Sequence, residues 1–123
     1  MKTDPTRSKV YDQSVAATTT VTTGDIDVSG YTEMTVIWRL MATVTGADLT
    51  LNDAKPTVED PAGTDVFVDQ AMASQSAVAP ASDGANVVAQ KTYRLAGLKT
   101  IRITGRNNNL AAKTLKIYVL LTP

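Results

Sequence analysis

Residues 33–44 read Glu-Met-Thr-Val-Ile-Trp-Arg-Leu-Met-Ala-Thr-Val. Met34, Val36, Trp38, Leu40, Ala42 and Val44 fall on one side of an extended chain, and Thr35, Ile37, Arg39, Met41 and Thr43 on the other. Period two sustained over this length predicts a half-buried antiparallel strand. Thr45-Gly46-Ala47 reads as a turn, and residues 48–51 resume the alternation with Leu49 and Leu51 inward. Strand, short turn and strand together predict a hairpin.

The same grammar extends outward in both directions. Upstream, residues 14–23 are a weakly patterned strand and Gly24-Asp25 is a turn signal. Residues 25–29 set Ile26 and Val28 against Asp25 and Asp27, until Gly30 breaks the run. Downstream, Lys55-Pro56 and Asp60-Pro61-Ala62-Gly63 predict a loop over 52–64. Val66, Phe67 and Val68 form a short strand. Residues 70–84, rich in Ala, Ser and Gln, read equally as a turn or two of helix or as a long loop. Residues 87–95 are a strand, Ala96-Gly97 a turn, and residues 99–104 a strand with Ile101 and Ile103 inward and Thr100, Arg102 and Thr104 outward. Residues 105–109, Gly-Arg-Asn-Asn-Asn, read as a turn. Leu115, Ile117, Val119 and Leu121 share one face of the last strand; Leu120, among the outward residues, implies that the opposite face is also covered.

Seven or eight strands with turns about every ten residues predict an all-β chain folded as an antiparallel β-sandwich, jelly-roll or Ig-like. Composition agrees. Of 123 residues, 19 are Thr and 13 Val, both β-branched, and only two are Glu. Residues 1–13 are polar, contain a Pro and show no periodicity, so they read as an extended N-terminal arm preceding a single sandwich domain over 14–123.

The chain has no Cys and no His. That excludes disulfides, zinc sites of the Cys/His type, His-based triads and Cys nucleophiles. No nucleophile elbow, phosphate loop or dinucleotide fingerprint is present, so no catalytic residue, no cofactor and no enzymatic activity is expected. Asp25 and Asp27 share a strand face and could hold a divalent cation only if other oxygens converged on them, so no metal site is expected either. No apolar run is long enough to span a membrane, and the N-terminus has no secretory pattern, so retention in the cytoplasm where the chain is made is expected.

Lys plus Arg and Asp plus Glu are both 12, yet the charges are unevenly placed. Between residues 43 and 83 lie Asp48, Asp53, Glu59, Asp60, Asp65, Asp69 and Asp83, with Lys55 the only base. After Asp83 there is no acid, but Lys91, Arg94, Lys99, Arg102, Arg106, Lys113 and Lys116 follow. Neutralisation within one fold, a contact between copies, and nucleic-acid binding are three readings of that asymmetry. The neutral total and the few aromatics weigh against nucleic acid.

The stretch Thr-Gly-Asp-Ile-Asp-Val-Ser-Gly-Tyr-Thr-Glu-Met-Thr-Val at 23–36 resembles small virion proteins of tailed bacteriophages. In that group a short strand ending in Asp-Val-Ser-Gly-Tyr leads into a long central strand. The segments Tyr93-Arg94-Leu95, Leu98-Lys99-Thr100-Ile101-Arg102-Ile103 and Leu115-Lys116-Ile117-Tyr118-Val119 are similar to its closing strands. The resemblance covers most of residues 20–121. It implies a capsid decoration (cement) protein, with another head, neck or tail accessory protein as the alternative. A carbohydrate-binding sandwich is a further alternative, because such modules share this strand grammar. The implied partners are the major capsid protein or other virion subunits and further copies of the chain, a trimer foremost, with no nucleic acid and no membrane; the implied location is the virion. Tyr11, Phe67, Met72, Val78 and Tyr118 are the candidate partner contacts.

Overall fold

A computed structural model describes residues 3–41, 51–57, 87–95 and 97–123. Among these residues all regular structure is strand: β1 (Thr6–Val15), β2 (Thr19–Thr22), β3 (Ile26–Asp27), β4 (Glu33–Met41), β5 (Leu51–Thr57), β6 (Val87–Arg94), β7 (Thr100–Asn107) and β8 (Lys113–Thr122). They form two antiparallel sheets of a sandwich. The first has the order β1-β8-β4-β6. In the second, β7 is central, with β2 and β3 pairing with successive parts of it and β5 pairing with it as well. Among the described strands, each successive one lies in the other sheet, β2 and β3 counting as one interrupted edge.

The alternation in β4 behaves as expected: Met34, Val36, Trp38 and Leu40 are fully buried, and Thr35, Ile37, Arg39 and Met41 lie half-buried on the other face. In β8, Leu115, Ile117, Val119 and Leu121 join them from the same sheet. Val28, Ile101 and Ile103 close the core from the second sheet and its corner, with Val15, Tyr31, Ala89, Tyr93 and Leu95 around them. Burying each large apolar side chain contributes roughly 1.5–3 kcal/mol.

The two sheets are locked through one tryptophan. Trp38 Nε1 donates to the Thr104 carbonyl across the sandwich at 3.0 Å. Gly105 makes the approach feasible: a Cβ there would stand 3.1 Å from Leu115 Cδ2 and 3.3 Å from Trp38 Cδ1.

The crossovers are held by polar side chains. Asn107 is fully buried. Its Nδ2 donates to the carbonyls of Val15 (3.0 Å), Ala16 (3.3 Å) and Ala111 (3.0 Å), and its Oδ1 accepts from Asn109 N (2.9 Å). Asn109 Oδ1 accepts from Ala111 N at 2.9 Å, and Thr18 N donates to Asn109 O at 3.2 Å. One residue thus ties the β1–β2 crossover to the β7–β8 crossover. At the break between β2 and β3, the buried Thr23 hydroxyl accepts from Ile103 N at 3.0 Å. At the β3–β4 corner, Asp27 Oδ1 accepts from Ser29 N (2.9 Å) and Ser29 Oγ (2.6 Å), and Gly30 adopts φ 84°. That left-handed conformation favours glycine.

Several sequence expectations are corrected. The hairpin expected between 33–44 and 48–51 falls largely outside the described residues, at 42–50, but the described part of β4 does not pair with Leu51. Both edges of β4 are taken by β6 and β8, and Leu51 starts a strand of the other sheet. The loop expected over 52–64 begins as strand β5, whose Pro56 is tolerated because β5 pairs with β7 alone among the described strands. The strand expected over 14–23 is broken at residues 16–18, where Thr18 has φ 51°. The turn expected at 105–109 starts later, since β7 runs to Asn107. Thr104, expected outward, is buried, its hydroxyl 3.2 Å from that of Thr22. The segment expected as an arm over 1–13 is, from Thr6 onward, an extended edge strand paired with β8. The strand expected at 66–68 and the helix or loop expected at 70–84 lie outside the described residues.

Two substitutions test this account by urea unfolding followed through the single Trp38. Gly105→Ala should lower stability by roughly 1–3 kcal/mol through overpacking against Trp38 and Leu115. Asn107→Ala should cost roughly 2–4 kcal/mol, because buried carbonyls at both crossovers lose their donor. An unchanged midpoint for Asn107→Ala would show that the crossovers hold without it.

Candidate functional site

The inner face of the first sheet is filled by the core; its outer face has no described layer over it. Register places the side chains there in rows. Arg7, Leu120, Thr35 and Thr92 form one row from β1 to β6; Lys9, Tyr118, Ile37 and Gln90 form the next; Asp12, Lys116, Arg39 and Val88 form the third. The centre is apolar and half-buried at Ile37, Tyr118 and Leu120. An open groove of about 610 Å³ runs over it, with Arg7, Lys9, Arg39 and Tyr118 among its lining residues. The Arg39 guanidinium lies over the Tyr118 ring, 5.9 Å from its centroid, at the distance of a cation–π contact.

A bulge sets the charges on this face. The β1–β8 register shifts between Lys9 and Tyr11, leaving Val10 as the extra residue. Lys9 and Asp12, three apart, would point to opposite sides of a regular strand. The bulge puts both outward, where Lys9 Nζ meets Asp12 Oδ2 at 2.8 Å. The hydrogen bond to Asp12, helped by its charge, raises the Lys9 pKa. The hydrogen bond from Lys9 lowers that of Asp12, with the charges of Lys9 and Lys116 acting in the same direction. Both groups are open to solvent, and such a pair contributes little to stability. It sets one cation and one carboxylate side by side at the groove's edge.

The candidate contact residues separate. Tyr118 lies at the middle of the groove. Tyr11 is on the opposite side of its sheet, half-buried and packed against the core. Phe67, Met72 and Val78 lie outside the described residues. Arg7, Lys9, Ile37, Arg39 and Leu120 were not among the candidates, although the outward positions of Ile37 and Leu120 are visible in the alternation of β4 and β8. Arg7 and Lys9 carry no such signal, because the bulge breaks the period that would have placed them on a face.

The carboxylates singled out in the sequence have local roles. Asp25 Oδ1 accepts from Arg102 Nε at 2.7 Å, while Asp27 holds the turn at Ser29. Among the described residues, no group of three or more Asp or Glu side chains is placed to hold a metal ion. The arrangement offers a binding face: an apolar centre able to exclude water, an aromatic ring, and cations at its border.

Compared with known proteins, the chain matches no family model, and no curated protein sequence is recognisably similar to it.

Among the described groups, the largest protonation shift is in the core. Burial pushes the Tyr93 hydroxyl up to about 12 from an ordinary 10.0. The unfolded chain therefore releases this proton first as pH rises. Stability should be intact below about pH 10 and fall by roughly 2–3 kcal/mol towards pH 12. Urea midpoints taken across that interval measure the fall, and Tyr93→Phe should flatten it whatever its effect at neutral pH.

Proposed function

We propose that this chain is a structural protein of a tailed-phage virion, first among such roles a capsid decoration protein that binds the head shell and stabilises it by adhesion. The observation that carries this reading is the fate of the residues behind the resemblance. Within the stretch 23–36, Thr23 bridges an interrupted edge, Asp27, Ser29 and Gly30 form a corner, and Val28, Tyr31, Met34 and Val36 enter the core. All of them belong to the sandwich itself, at its edge, its corner or its core. A cohesive small sandwich with a broad outer face suits a subunit whose work is contact.

The energetic case is ordinary. Covering a large apolar side chain such as Ile37 or Leu120 contributes roughly 1.5–3 kcal/mol before ordering costs. Repeated at every copy over a shell, modest contacts add to its resistance to internal pressure. The major capsid protein is the proposed partner, in the virion.

The test is to follow the full chain in a lysate of the culture that carries its gene. With a specific antibody, the protein should co-sediment with intact particles on a density gradient, and gold label should decorate their heads. Label on necks or tails would move the protein to another accessory position and overturn the decoration role. Recovery solely in the particle-free fraction would overturn the virion assignment altogether.

A further inference from the structure

We infer that β1 is an exchangeable strand: it leaves its own β8 and takes the same place on the β8 of a second copy of this chain. The argument does not depend on the virion reading. It rests on strain in the crossover at 16–18, on how β1 is anchored, and on the fit between β1 and β8.

The crossover from β1 to β2 is residues 16–18, and it carries the chain from one sheet to the other. Thr18 stands in it with φ 51°. That left-handed conformation crowds any Cβ, and a β-branched side chain most of all. Among the described residues the other left-handed positions, 30 and 97, are glycines. Thr18 is exposed, so burial of its side chain does not offset the strain. Its hydroxyl and that of Thr19 donate to the Ala17 carbonyl at 2.8 and 3.0 Å, bonds that stay within the turn. An extended crossover relieves Thr18, and with it β1 no longer folds back onto its own sheet. Short crossovers under strain favour exchange for this reason.

β1 is anchored by little besides its ladder. Among the described strands it pairs with β8 alone, at the edge of the first sheet. Most of its residues are exposed; Val15 is buried, and Val10 and Tyr11 pack half-buried against the core. The ladder from Thr6–Leu121 to Val15–Lys113, these three apolar contacts and the bond from Asn107 Nδ2 to the Val15 carbonyl are all remade on a second copy. They cancel between the closed and exchanged forms, and the crossover decides the balance. The ladder also identifies the occupant. β1 is polar and bulged, so an ordinary sheet edge does not suit it. Its bulge matches β8 at one place, between Lys9 and Tyr11, and a second copy supplies that match by identity. A left-handed residue of this kind weighs about tenfold in an equilibrium, so two relieved crossovers favour an exchanged dimer by about a hundredfold. Against a millimolar effective concentration for a strand on a short connection, that places the dissociation constant at about 10 μM.

The chain has no Cys, which makes exchange directly readable. Ser14 and Thr114 are opposed in register outside the core, so Ser14→Cys with Thr114→Cys in one full chain sets a disulfide across β1 and β8. The chain is refolded from urea at concentrations from about 1 μM to 1 mM, a range that brackets the expected constant. It is sedimented, then oxidised and separated without reductant. A closed chain gives a cross-linked monomer, and an exchanged pair gives a dimer joined by two disulfides. The covalent dimer is expected to grow with concentration. Thr18→Gly and Thr18→Asn, which both accept the left-handed conformation, should each weaken dimerisation by about a hundredfold. Glycine loosens the crossover and asparagine does not, so a shared direction identifies strain as the cause. Cross-linked monomer alone at every concentration would overturn the inference. So would a dimer fraction indifferent to both Thr18 variants, or a sedimenting dimer whose disulfides stay within single chains.

Discussion

The bond from Trp38 Nε1 to the Thr104 carbonyl is the constraint around which the sandwich is arranged. It joins the central strand of one sheet to the central strand of the other and satisfies a polar atom that would otherwise be buried without a partner. A Cβ at residue 105 would crowd the indole at 3.3 Å, so Gly105 and Trp38 behave as two halves of one contact. Leu115 Cδ2 crowds the same position, 3.1 Å from where a Cβ of residue 105 would stand, which brings β8 into the same unit. With β4, β7 and β8 thus located, the edge strands have fixed places against which to pair.

Around that centre the described strands alternate between the two sheets, and the passages at 16–18, 23–32 and 108–112 expose backbone groups that no ladder serves. Asn107, Asn109, Thr23 and Asp27 serve them instead. At these corners a sequence without cysteine is held by side-chain hydrogen bonds. Short polar groups close the corners locally, and the apolar residues are left for the interior. The outer face of the first sheet brings apolar side chains and cations together outside that scheme.

What the sequence revealed follows from how local each signal is. In β4 and β8 every inward residue from Met34 to Leu40 and from Leu115 to Leu121 obeys period two, and both strands were legible without a structure. Partner choice was not, because the strands beside β4 are supplied by residues 87–94 and 113–122, far along the chain. Alternation says that a strand exists and which way it faces, not what it pairs with. Phase breaks hid the rest. The extra residue at Val10 scrambled the pattern of β1, so a paired strand resembled an arm, and with it went the chance to place Arg7 and Lys9 on the binding face. Pro56 hid β5 because a proline signals a loop unless the strand is known to lie at an edge. Of the candidate site, Tyr118, Ile37 and Leu120 could be seen as outward residues, but their assembly with β1 needed the register.

The position of β8 has a consequence for how the protein comes into being on the ribosome. β8 lies between β1 and β4, so the first sheet has no continuous ladder until residues 113–122 have been made. Thr6 then pairs with Leu121, more than a hundred residues later. At a synthesis rate of about 5–20 residues per second, β1 waits roughly 5–20 s for its partner. During that time the emerging chain holds an apolar strand, β4, with one edge unmatched. Pairing of this range is slow to form and open to mispairing in the interval. The polar character of β1 and its bulge are useful here: the segment that waits longest is the one least inclined to join a neighbouring nascent chain.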